Sequence, residues 1–551
     1  MQSITDPTKR LVFSIHVNDL DGEVTFLDDG NIIVHRDRLG KITATRNRCK
    51  HQNGRFPKGG ECVLTCPNHG WKLDVSTMQY ANPRGNLLQE QLLVEIGSDG
   101  KAQLFEIVTP EPWGLDPRPE ELLHESDFTI RFYAHACVEI RCGPNNLFTD
   151  PWLVGPAFIR GWWLVHQPPS DWLDKLSDAD AIYISHNHSD HLNLHTLKVL
   201  ASRNPRVQVF VPEFESDSCL RLVEKAGLQR VRALPFGVWT TLGYESRFML
   251  LQDDTERDDS GILVEYRGHR VLNTVDCANL NGGVLPTPID ILLTSFASGA
   301  SGYPVCWPEQ YSDKEIEQMV TRNRRVLAAR VVEVVLQTQT KAVIPFAGYF
   351  TEAHPADEEI KRINIKNTPQ VIRDLLGQQA PDTTTWIPDA GREFDVFKLM
   401  PVPSAATVAE EPVHNFDQYL APIREDFWFE PFQHIEGIKQ YFEWAGFQSD
   451  LVLHVIETDE SFESEVREFF VDFSDLSFPS ERPKQPHRYL RMRVRADVFR
   501  HVLRWGLSWE EMSIGFQARF YREPDAYNFD FWDHFQNNLS SQVPDWENAA
   551  S

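Results

Sequence analysis

The chain has 551 residues, of which 41% are hydrophobic and 11% aromatic, so it can bury sizeable cores and is predicted to be globular. Its formal net charge of −26 argues against nucleic acid or an anionic membrane as the main partner, because both bind basic surfaces. No apolar run is long enough to span a membrane or to form a signal peptide. The sequence therefore predicts a cytoplasmic protein with reduced thiols and about three domains.

Residues 1–120 form the first predicted domain, which consists of short strands. In segments such as LVFSIHV, NIIVHRD and AQLFEIV, Val, Ile and Thr predominate, and Gly, Asp and Asn mark the turns between them. The Pro-rich stretch TPEPWGLDPRPEE that follows is typical of a linker. This part of the chain is predicted to be a small β-domain.

Residues 126–400 form the second predicted domain, in which strand-like and helical segments alternate. ADAIYIS, VQVFVP, IDILLTSF and KAVIPF indicate strands, and DKEIEQMVTRNRRVLAARVVEVVLQTQ indicates an amphipathic helix. Such alternation is typical of layered α/β packing. After a second linker, PVPSAATVAEEP, residues 415–551 are rich in aromatic side chains and predicted mostly helical, with no motif that indicates a chemistry of their own.

Two pairs of metal-binding side chains lie in the first domain. Cys49 and His51 form one pair, Cys66 and His69 form the other, and fourteen residues separate the pairs. Two thiolates and two imidazoles can hold either a zinc ion or a Rieske [2Fe–2S] cluster. Zinc ribbons usually open with two cysteines, whereas each pair here combines Cys with His, and the next segment, GWKLD, resembles the aromatic strand after the second Rieske loop. The cluster is the preferred hypothesis and structural zinc is the alternative.

The neighbours of these pairs indicate the type of Rieske domain. In the respiratory type, two further cysteines form a disulfide beside the ligands, but Gly54 and Asn68 occupy those positions here. The site therefore resembles the ferredoxin-like and oxygenase type, for which fewer donors to the sulfurs imply a lower potential. Cys62 does not fit the ligand spacing and is expected to be a plain buried thiol.

A second concentration of ligands follows the strand ADAIYIS, where HNHSDH places His-x-His-x-Asp-His within one turn. This arrangement is similar to the leading motif of the metallo-β-lactamase superfamily. The segment HACVEIRCGPNNLFTD resembles the superfamily's opening hairpin, with Asp150 at a strand end, and RVLNTVD ends on Asp276, where the superfamily places its bridging carboxylate. The resemblance predicts a metal site whose ligands are His186, His188, Asp190, His191 and Asp276.

The remaining ligands depart from the superfamily pattern. The third-motif His should fall near LLQDDTERDDSG, which contains none, so Asp253 or Asp254 is the expected substitute. The last His should follow the strand AVIPF, where Ala347 and Gly348 stand instead, and His354 is the nearest candidate. A structural carboxylate at 253 and a plain loop histidine at 354 are the alternatives. Replacing imidazole by carboxylate hardens the site and favours iron over a purely hydrolytic zinc centre.

The two predicted sites make chemical sense as parts of one redox path, because O₂ activation at non-haem iron consumes electrons that a cluster can deliver. A Rieske domain followed by a metallo-β-lactamase-like domain resembles the CMP-N-acetylneuraminate hydroxylase family. Segments similar to that family run along the whole chain: HGWKLDVSTM, HNHSDHLN, VEYRGHRVLNTVDCANLNGG, FASGASGYP, PFAGYFTEAHP, YFEWAGF, VDFSDLSFPSERP and GFQARFYREPD. The last three place the C-terminal segment within the enzyme rather than in a fused module.

The resemblance implies an α/β plus β architecture: an N-terminal Rieske β-domain, a central metallo-β-lactamase-like αββα sandwich and a helix-rich aromatic C-terminal segment. It implies a monooxygenase that converts the N-acetyl group of CMP-sialic acid to N-glycolyl, with Asp190 and Asp276 as catalytic carboxylates. The expected cofactors are a [2Fe–2S] cluster and one or two non-haem iron ions. The expected partners are O₂ and an external electron donor, such as cytochrome b5 with its reductase or a ferredoxin.

An anionic substrate such as CMP-sialic acid needs cationic side chains within an acidic protein. The segment KRINIKN, with Lys361, Arg362 and Lys366, is the best-placed basic run, and a solvated helix start is the alternative. Two competing hypotheses for the whole chain stay open. One is a related hydroxylase of another small metabolite, and the other is a metal-dependent hydrolase whose Rieske domain senses redox state.

Overall fold

The computed structural model describes residues 8–20, 22–51, 53–59, 61–67, 70–81, 87–108, 113–117, 127–243, 245–255, 257–403, 411–484 and 487–536. The chain forms two compact units. The N-terminal unit comprises Met1–Gly114, Asp254–Arg257 and Asp525–Asp530, and the main unit comprises Leu115–Asp253, Asp258–Pro524 and Phe531–Ser551. No helix among these described residues is both long and apolar enough to cross a membrane.

The N-terminal unit is built from three small antiparallel sheets, in the strand orders β1-β9-β8, β2-β3-β4 and β5-β6-β7. Its strands are β1 (Thr8–His16), β2 (Val24–Leu27), β3 (Ile32–Arg36), β4 (Ile42–Arg46), β5 (Val63–Thr65), β6 (Lys72–Asp74), β7 (Gln79–Tyr80), β8 (Leu93–Ile96) and β9 (Lys101–Val108).

Strand β3 separates two hydrophobic cores of this unit, because successive side chains of a strand point to opposite faces. Ile33 joins the core that surrounds Trp71, whereas Ile32 and Val34 join the core between β4 and β9. Each fully buried Ile or Val contributes roughly 1.5–3 kcal/mol to stability. Aromatic side chains from the C-terminal part of the unit, Tyr527 and Phe529, also pack against the Trp71 core.

The main unit contains two large mixed sheets, in the orders β16-β15-β14-β12-β11-β10-β25-β26 and β17-β18-β19-β20-β21-β22-β24, and a short pair, β13-β23. Their strands are β10 (Phe128–Ala134), β11 (Cys137–Cys142), β12 (Asn145–Thr149), β13 (Trp163–Leu164), β14 (Ala181–Tyr183), β15 (Gln208–Pro212), β16 (Arg230–Leu234), β17 (Thr240–Gly243), β18 (Ser246–Gln252), β19 (Ser260–Tyr266), β20 (His269–Asn273), β21 (Ile291–Ser295), β22 (Ala342–Phe346), β23 (Phe350–Thr351), β24 (Thr384–Thr385), β25 (Glu393–Asp395) and β26 (Met400–Pro401).

Helices connect the parallel strands of both sheets, as the alternating sequence pattern predicts. Those of the first sheet are α1 (Trp172–Ser177), α2 (Leu194–Arg203) and α3 (Ser218–Lys225), and those of the second are α4 (Asp313–Thr338), α5 (Glu358–Ile363) and α6 (Pro369–Gln379). Helix α4 has 26 residues and begins with a capping box, in which Ser312 and Glu315 satisfy each other's backbone N–H groups. The strands between these helices, such as β21 and β22, are buried along their whole length.

The C-terminal part of the main unit combines a four-stranded sheet, in the order β28-β27-β29-β30, with helices. Its elements are α7 (Phe416–Asp426), α8 (Ile435–Ala445), β27 (Leu451–Thr458), β28 (Glu465–Asp472), β29 (Arg488–Arg495), α9 (Ala496–Trp505), α10 (Glu510–Ser513), β30 (Ala518–Glu523) and α11 (Phe529–Gln536), the last of which begins in the N-terminal unit. Buried aromatic side chains fill its core, with Trp509 against Phe535 and Phe442. The sequence pattern predicts the helices of this part but not its sheet.

Candidate functional site

Two tight loops position the predicted cluster ligands of the N-terminal unit. Cys49 N–H donates to the carbonyl of Gly54 (2.7 Å), and Cys66 N–H donates to the carbonyl of Trp71 (2.6 Å). His51 is buried, and its ring stacks on Trp71, with ring centroids 4.8 Å apart and planes 4° from parallel. The structure thus brings Cys49, His51 and Cys66 into well-defined loops, whereas His69 and Asn68 lie outside the described residues.

The thiols of Cys49 and Cys66 lie next to each other in the core. Burial, and then the neighbouring Cys66, raise the pKa of Cys49 well above its usual value. The hydroxyl of Tyr80 accepts from the backbone N–H of Lys50 (2.9 Å) and donates to Gln89 Oε1 (2.6 Å). Two adjacent buried thiols are costly to ionise unless a cation shares them, so this donor set fits an iron–sulfur cluster. Tyr80 was not predicted, since no ligand spacing marks it.

The predicted metal site of the main unit lies where strands of the two large sheets end. Strand β14 ends two residues before Ser185, and its parallel neighbour β12 ends immediately before Asp150. In the other sheet, Asp276 follows β20, and Asp259 precedes the antiparallel β19. The hydroxyl of Ser260 donates to the carbonyl of Ser185 (2.7 Å) and joins the two edges.

The ligand atoms at these strand ends form two neighbouring groups, one around His186 and the other around His191. His186 Nε2 lies 2.9 Å from His188 Nδ1 and 3.8 Å from Asp259 Oδ1. His191 Nε2 lies 3.3 Å from Asp190 Oδ2 and 3.4 Å from Asp276 Oδ2. His186, His191 and Asp276 also form a group of their own, with ligand atoms within 4.8 Å of one another. Asp276 is therefore placed to be shared between two ions.

Outer hydrogen bonds fix which nitrogen of each histidine faces the site. Asp150 Oδ2 accepts from His191 Nδ1 (3.0 Å) and from Ser185 Oγ (2.8 Å). Because the hydroxyl proton of Ser185 is used on Asp150, its oxygen accepts from His186 Nδ1 at 2.9 Å. These bonds leave Nε2 of both histidines as lone-pair donors toward the carboxylates, the arrangement that metal-bound histidines adopt.

A metal ion fits the chemistry of these donors. His191 Nε2 and Asp190 Oδ1 are buried and have no hydrogen-bond partner among the described residues. Burial raises the pKa of Asp190, but His191 and His135 overcome it and hold that pKa well below its usual value. Burial lowers the pKa of His191, but Asp190 and Asp150 overcome it and hold that pKa well above its usual value. A proton on His191 thus balances the negative charge of the carboxylates, and a bound cation would take the place of that proton.

The C-terminal part of the main unit contacts the HNHSDH loop. His188 Nε2 lies 2.8 Å from Glu510 Oε2, and Ser189 Oγ donates to Glu511 Oε2 at 3.2 Å. Burial raises the pKa of Glu511 to about 7. Glu510 keeps the proton of His188 on Nε2 and so presents Nδ1 to His186. No sequence spacing indicates this role, because more than 300 residues separate the two side chains.

The structure assigns different surroundings to the two expected third-motif substitutes. The carboxylate of Asp253 accepts the backbone N–H groups of Ala278 and Asn279, just past Asp276, so it shapes the turn that carries Asp276. Asp254 belongs to the N-terminal unit. Asp259, from the same acidic segment, joins His186 and His188 instead. Its position directly before β19 was the available signal, since the superfamily's ligands lie at strand ends.

His354 and the basic run are also engaged elsewhere. His354 Nδ1 lies 2.9 Å from Arg160 Nη2 and accepts the backbone N–H of Ala356, so it caps a short helical turn. Burial, and then Arg160, lower the pKa of His354. Lys366 pairs with the buried Glu352, whereas Lys361 and Arg362 are exposed on α5. The three cationic side chains therefore do not converge on one position.

Known proteins resemble this chain in both units. A Rieske [2Fe-2S] domain model matches residues 11–89, and a beta-lactamase superfamily domain model matches residues 129–276. Among solved structures, a diiron beta-hydroxylase from Streptomyces venezuelae is 18% identical, with 51% of this chain and 55% of that chain covered and a TM-score of 0.34. An isothiocyanate hydrolase from Delia radicum gut bacteria is 10% identical, with 48% and 98% covered and a TM-score of 0.33.

Full-length relatives are more informative. The cytidine monophosphate-N-acetylneuraminic acid hydroxylase of Pongo pygmaeus is 41% identical over 527 residues, which are 92% of this chain and 90% of that protein. The proteins of the same name from Mus musculus and Asterias rubens are each 40% identical and match 92% of this chain and 91% and 80% of their own. The predicted fold class, a Rieske β-domain followed by a metallo-β-lactamase-like domain and a helix-rich C-terminal segment, is confirmed. The chain belongs to the cytidine monophosphate-N-acetylneuraminic acid hydroxylase family.

Proposed function

We propose that the chain is a Rieske-coupled iron monooxygenase that hydroxylates the N-acetyl group of CMP-N-acetylneuraminate to N-glycolyl. The observation that carries the proposal is the pairing of two donor sets in one polypeptide. One is the Cys49–Cys66 thiol pair beside His51, and the other is the buried histidine–carboxylate site around Asp276. Relatives named cytidine monophosphate-N-acetylneuraminic acid hydroxylase match 92% of the chain.

The second donor set suits iron. It combines imidazole with several carboxylates, whose oxygens favour harder ions than the thiolate sites that select zinc. His186, His188, Asp190, His191, Asp259 and Asp276 would hold the metal. When bound, iron supplies the O₂ chemistry that an unactivated methyl C–H bond requires, and the cluster supplies electrons one at a time.

The protein's own residues hold and shield the reacting region. Asp150 orients His191 directly and His186 through Ser185, so one buried carboxylate aligns two ligands. Asp190 is buried and Asp276 is only partly exposed, so little water reaches their carboxylates. We assign catalytic roles to these two residues, because their oxygens belong to the histidine–carboxylate groups that would hold the iron.

The overall reaction consumes one O₂, two electrons and two protons for each C–H bond converted to C–OH, and it releases one water. The electrons need an external donor, for which we propose cytochrome b5 with its reductase or a ferredoxin. Because the net charge is −26, an acidic donor must find a local basic patch, and coupling should depend on ionic strength.

No disulfide joins any of the eight cysteines, all of which are described, and this supports a reducing compartment such as the cytoplasm.

The test is aerobic turnover of the full chain with CMP-N-acetylneuraminate, NADH, cytochrome b5 and its reductase under ¹⁸O₂. We expect a product heavier by one ¹⁸O atom, and no such product from a His186→Ala variant that retains its cluster spectrum. Free N-acetylneuraminate in place of the nucleotide sugar measures how much the nucleotide contributes to recognition. A cleaved product without ¹⁸O would contradict the proposal and favour a hydrolase.

A further inference from the structure

One side of the metal centre has fewer ligands than the other. His186, His188 and Asp259 offer three side chains to one position, whereas Asp190 and His191 offer two to the other, with Asp276 between them. The superfamily's last imidazole would come from the residue after β22. Ala347 stands there, and a side chain at Gly348 would place its Cβ 2.7 Å from the ring of Phe296. This loop therefore cannot supply the missing donor.

A histidine from another part of the chain reaches the same place. His135 lies in the turn between β10 and β11, and its carbonyl accepts the backbone N–H of Ala347 at 2.9 Å. Its ring Nε2 lies 3.2 Å from Asp190 Oδ2, and its ring centroid lies 5.7 Å from that of His191. The ligand atoms of His135, Asp190 and His191 lie within 4.8 Å of one another.

The surroundings of His135 hold it in this position. The residue is 1% exposed, and its φ of 44° is in the left-handed region that side chains other than glycine rarely adopt. The β10–β11 register shifts between Phe132 and Ala134, immediately before it, and such an irregularity re-aims a side chain. Trp152 and Phe350 contact the ring, with centroids at 5.1 and 6.0 Å. A strained residue at a ligand group indicates function.

We propose that His135 is a metal ligand that replaces, in space, the imidazole missing from the last superfamily motif. The centre then holds two ions, one on His186, His188 and Asp259 and the other on His135, Asp190 and His191, with Asp276 shared. The inference rests on the metal centre of the proposed function but on neither its substrate nor its reaction. Metal binding by His135 requires a neutral ring whose Nε2 presents a lone pair to the ion.

The alternative role for His135 is that of a hydrogen-bond donor to Asp190. Two variants separate the roles. His135→Gly removes the ring and suits the positive φ, so the backbone is not strained further. His135→Gln keeps an N–H donor near Asp190 but offers a poor ligand to a transition metal. His354→Gln is the matched control, since that histidine is also buried in the same unit and bonds to Arg160.

The experiment uses the full chain with its cluster intact, after a chelator has stripped the second centre. Fe(II) is titrated back without O₂, and bound iron is measured by competition with a chromophoric chelator. We expect two Fe(II) for the wild type and for His354→Gln. For His135→Gly and His135→Gln we expect one tight Fe(II), with the second weakened at least about tenfold, the loss that even an outer partner of a ligand causes.

Added imidazole should restore the second Fe(II) in His135→Gly. Two tight Fe(II) in the His135→Gln variant would overturn the proposal and make His135 a hydrogen-bond donor, as would a wild type that binds only one. Because these readouts need no turnover, a failed hydroxylase assay leaves the ligand assignment standing. Cluster absorbance and thermal unfolding show that each variant is folded.

Discussion

Glu510 Oε2 accepts the Nε2 proton of His188 at 2.8 Å, which leaves Nδ1 of that ring facing His186 Nε2 at 2.9 Å. Both groups are largely buried, with 17% of the Glu510 side chain and 9% of the His188 side chain exposed. A carboxylate behind a ligand histidine fixes the ring's tautomer and raises its basicity. The C-terminal part of the main unit thus takes part in building the metal centre.

Replacing Glu510 should weaken metal binding without removing a ligand. For Glu510→Ala we expect iron affinity at the His186–His188 side to fall about 10–100-fold, and for Glu510→Gln a smaller loss, because the amide oxygen still accepts a hydrogen bond. Chelator competition measures both. Glu430→Gln is the matched control, because Glu430 bonds to His434 Nε2 at 3.1 Å on the surface. Equal affinities in all three variants would show that Glu510 is not a positioning residue.

Asp259 and Asp253 make a matched pair for the third-motif position. Asp259 lies near His186, whereas Asp253 accepts the backbone N–H groups of Ala278 and Asn279. Asp259→Asn should lose iron and turnover, because an amide is a weak ligand. Asp253→Asn can still accept one N–H bond and should keep most of its iron. Metal analysis against labile sulfide distinguishes them, and the reverse result would restore Asp253 as the ligand.

Local sequence sufficed for the ligands that lie close together along the chain. The Cys–His pairs and HNHSDH each fit in one loop, and Asp276 follows a recognisable strand. The acidic segment was harder to interpret, since several carboxylates share it and only the pairing of β18, β19 and β20 decides which one turns inward. His135 and Glu510 come from distant segments, so no spacing could place them beside the HNHSDH loop.

The C-terminal sheet escaped prediction for a related reason. Strand β27 is buried at every position, so it shows no alternation of polar and apolar residues, and a short apolar run does not distinguish a strand from a buried helix. Its central place between β28 and β29 explains the burial. The aromatic composition of the segment indicated a core but not the element that fills it.

His454 in strand β27 should make the main unit less stable in mild acid. Burial lowers its pKa, and it is held neutral, with Nδ1 accepting from Tyr489 and Nε2 donating to Glu468. Because its folded pKa lies below the unfolded value of about 6.5, the unfolded chain binds more protons. Stability should therefore fall as the pH drops through 6.5 toward the folded pKa. Urea unfolding at pH 7.5 and 5.5 measures the fall, which His454→Gln should reduce; an unchanged pH dependence would refute this.

The cluster should be required for electron delivery but not for iron at the second centre. Cys49 and Cys66 share one buried site, so Cys49→Ser should remove the cluster, whereas the histidines and carboxylates around Asp276 belong to the main unit and keep their metal. NADH-driven hydroxylation should then stop, while metal analysis still finds iron without labile sulfide. Chemical reduction of the second centre should restore a single turnover. Cys62→Ser is the matched control, since Cys62 belongs to the same unit but lies outside the ligand spacing. Its thiol is partly exposed rather than buried as expected from the sequence, and the variant should keep both cluster and activity. Undiminished NADH-driven hydroxylation in Cys49→Ser would show that electrons reach the second centre by another route and would leave the Rieske domain a sensor.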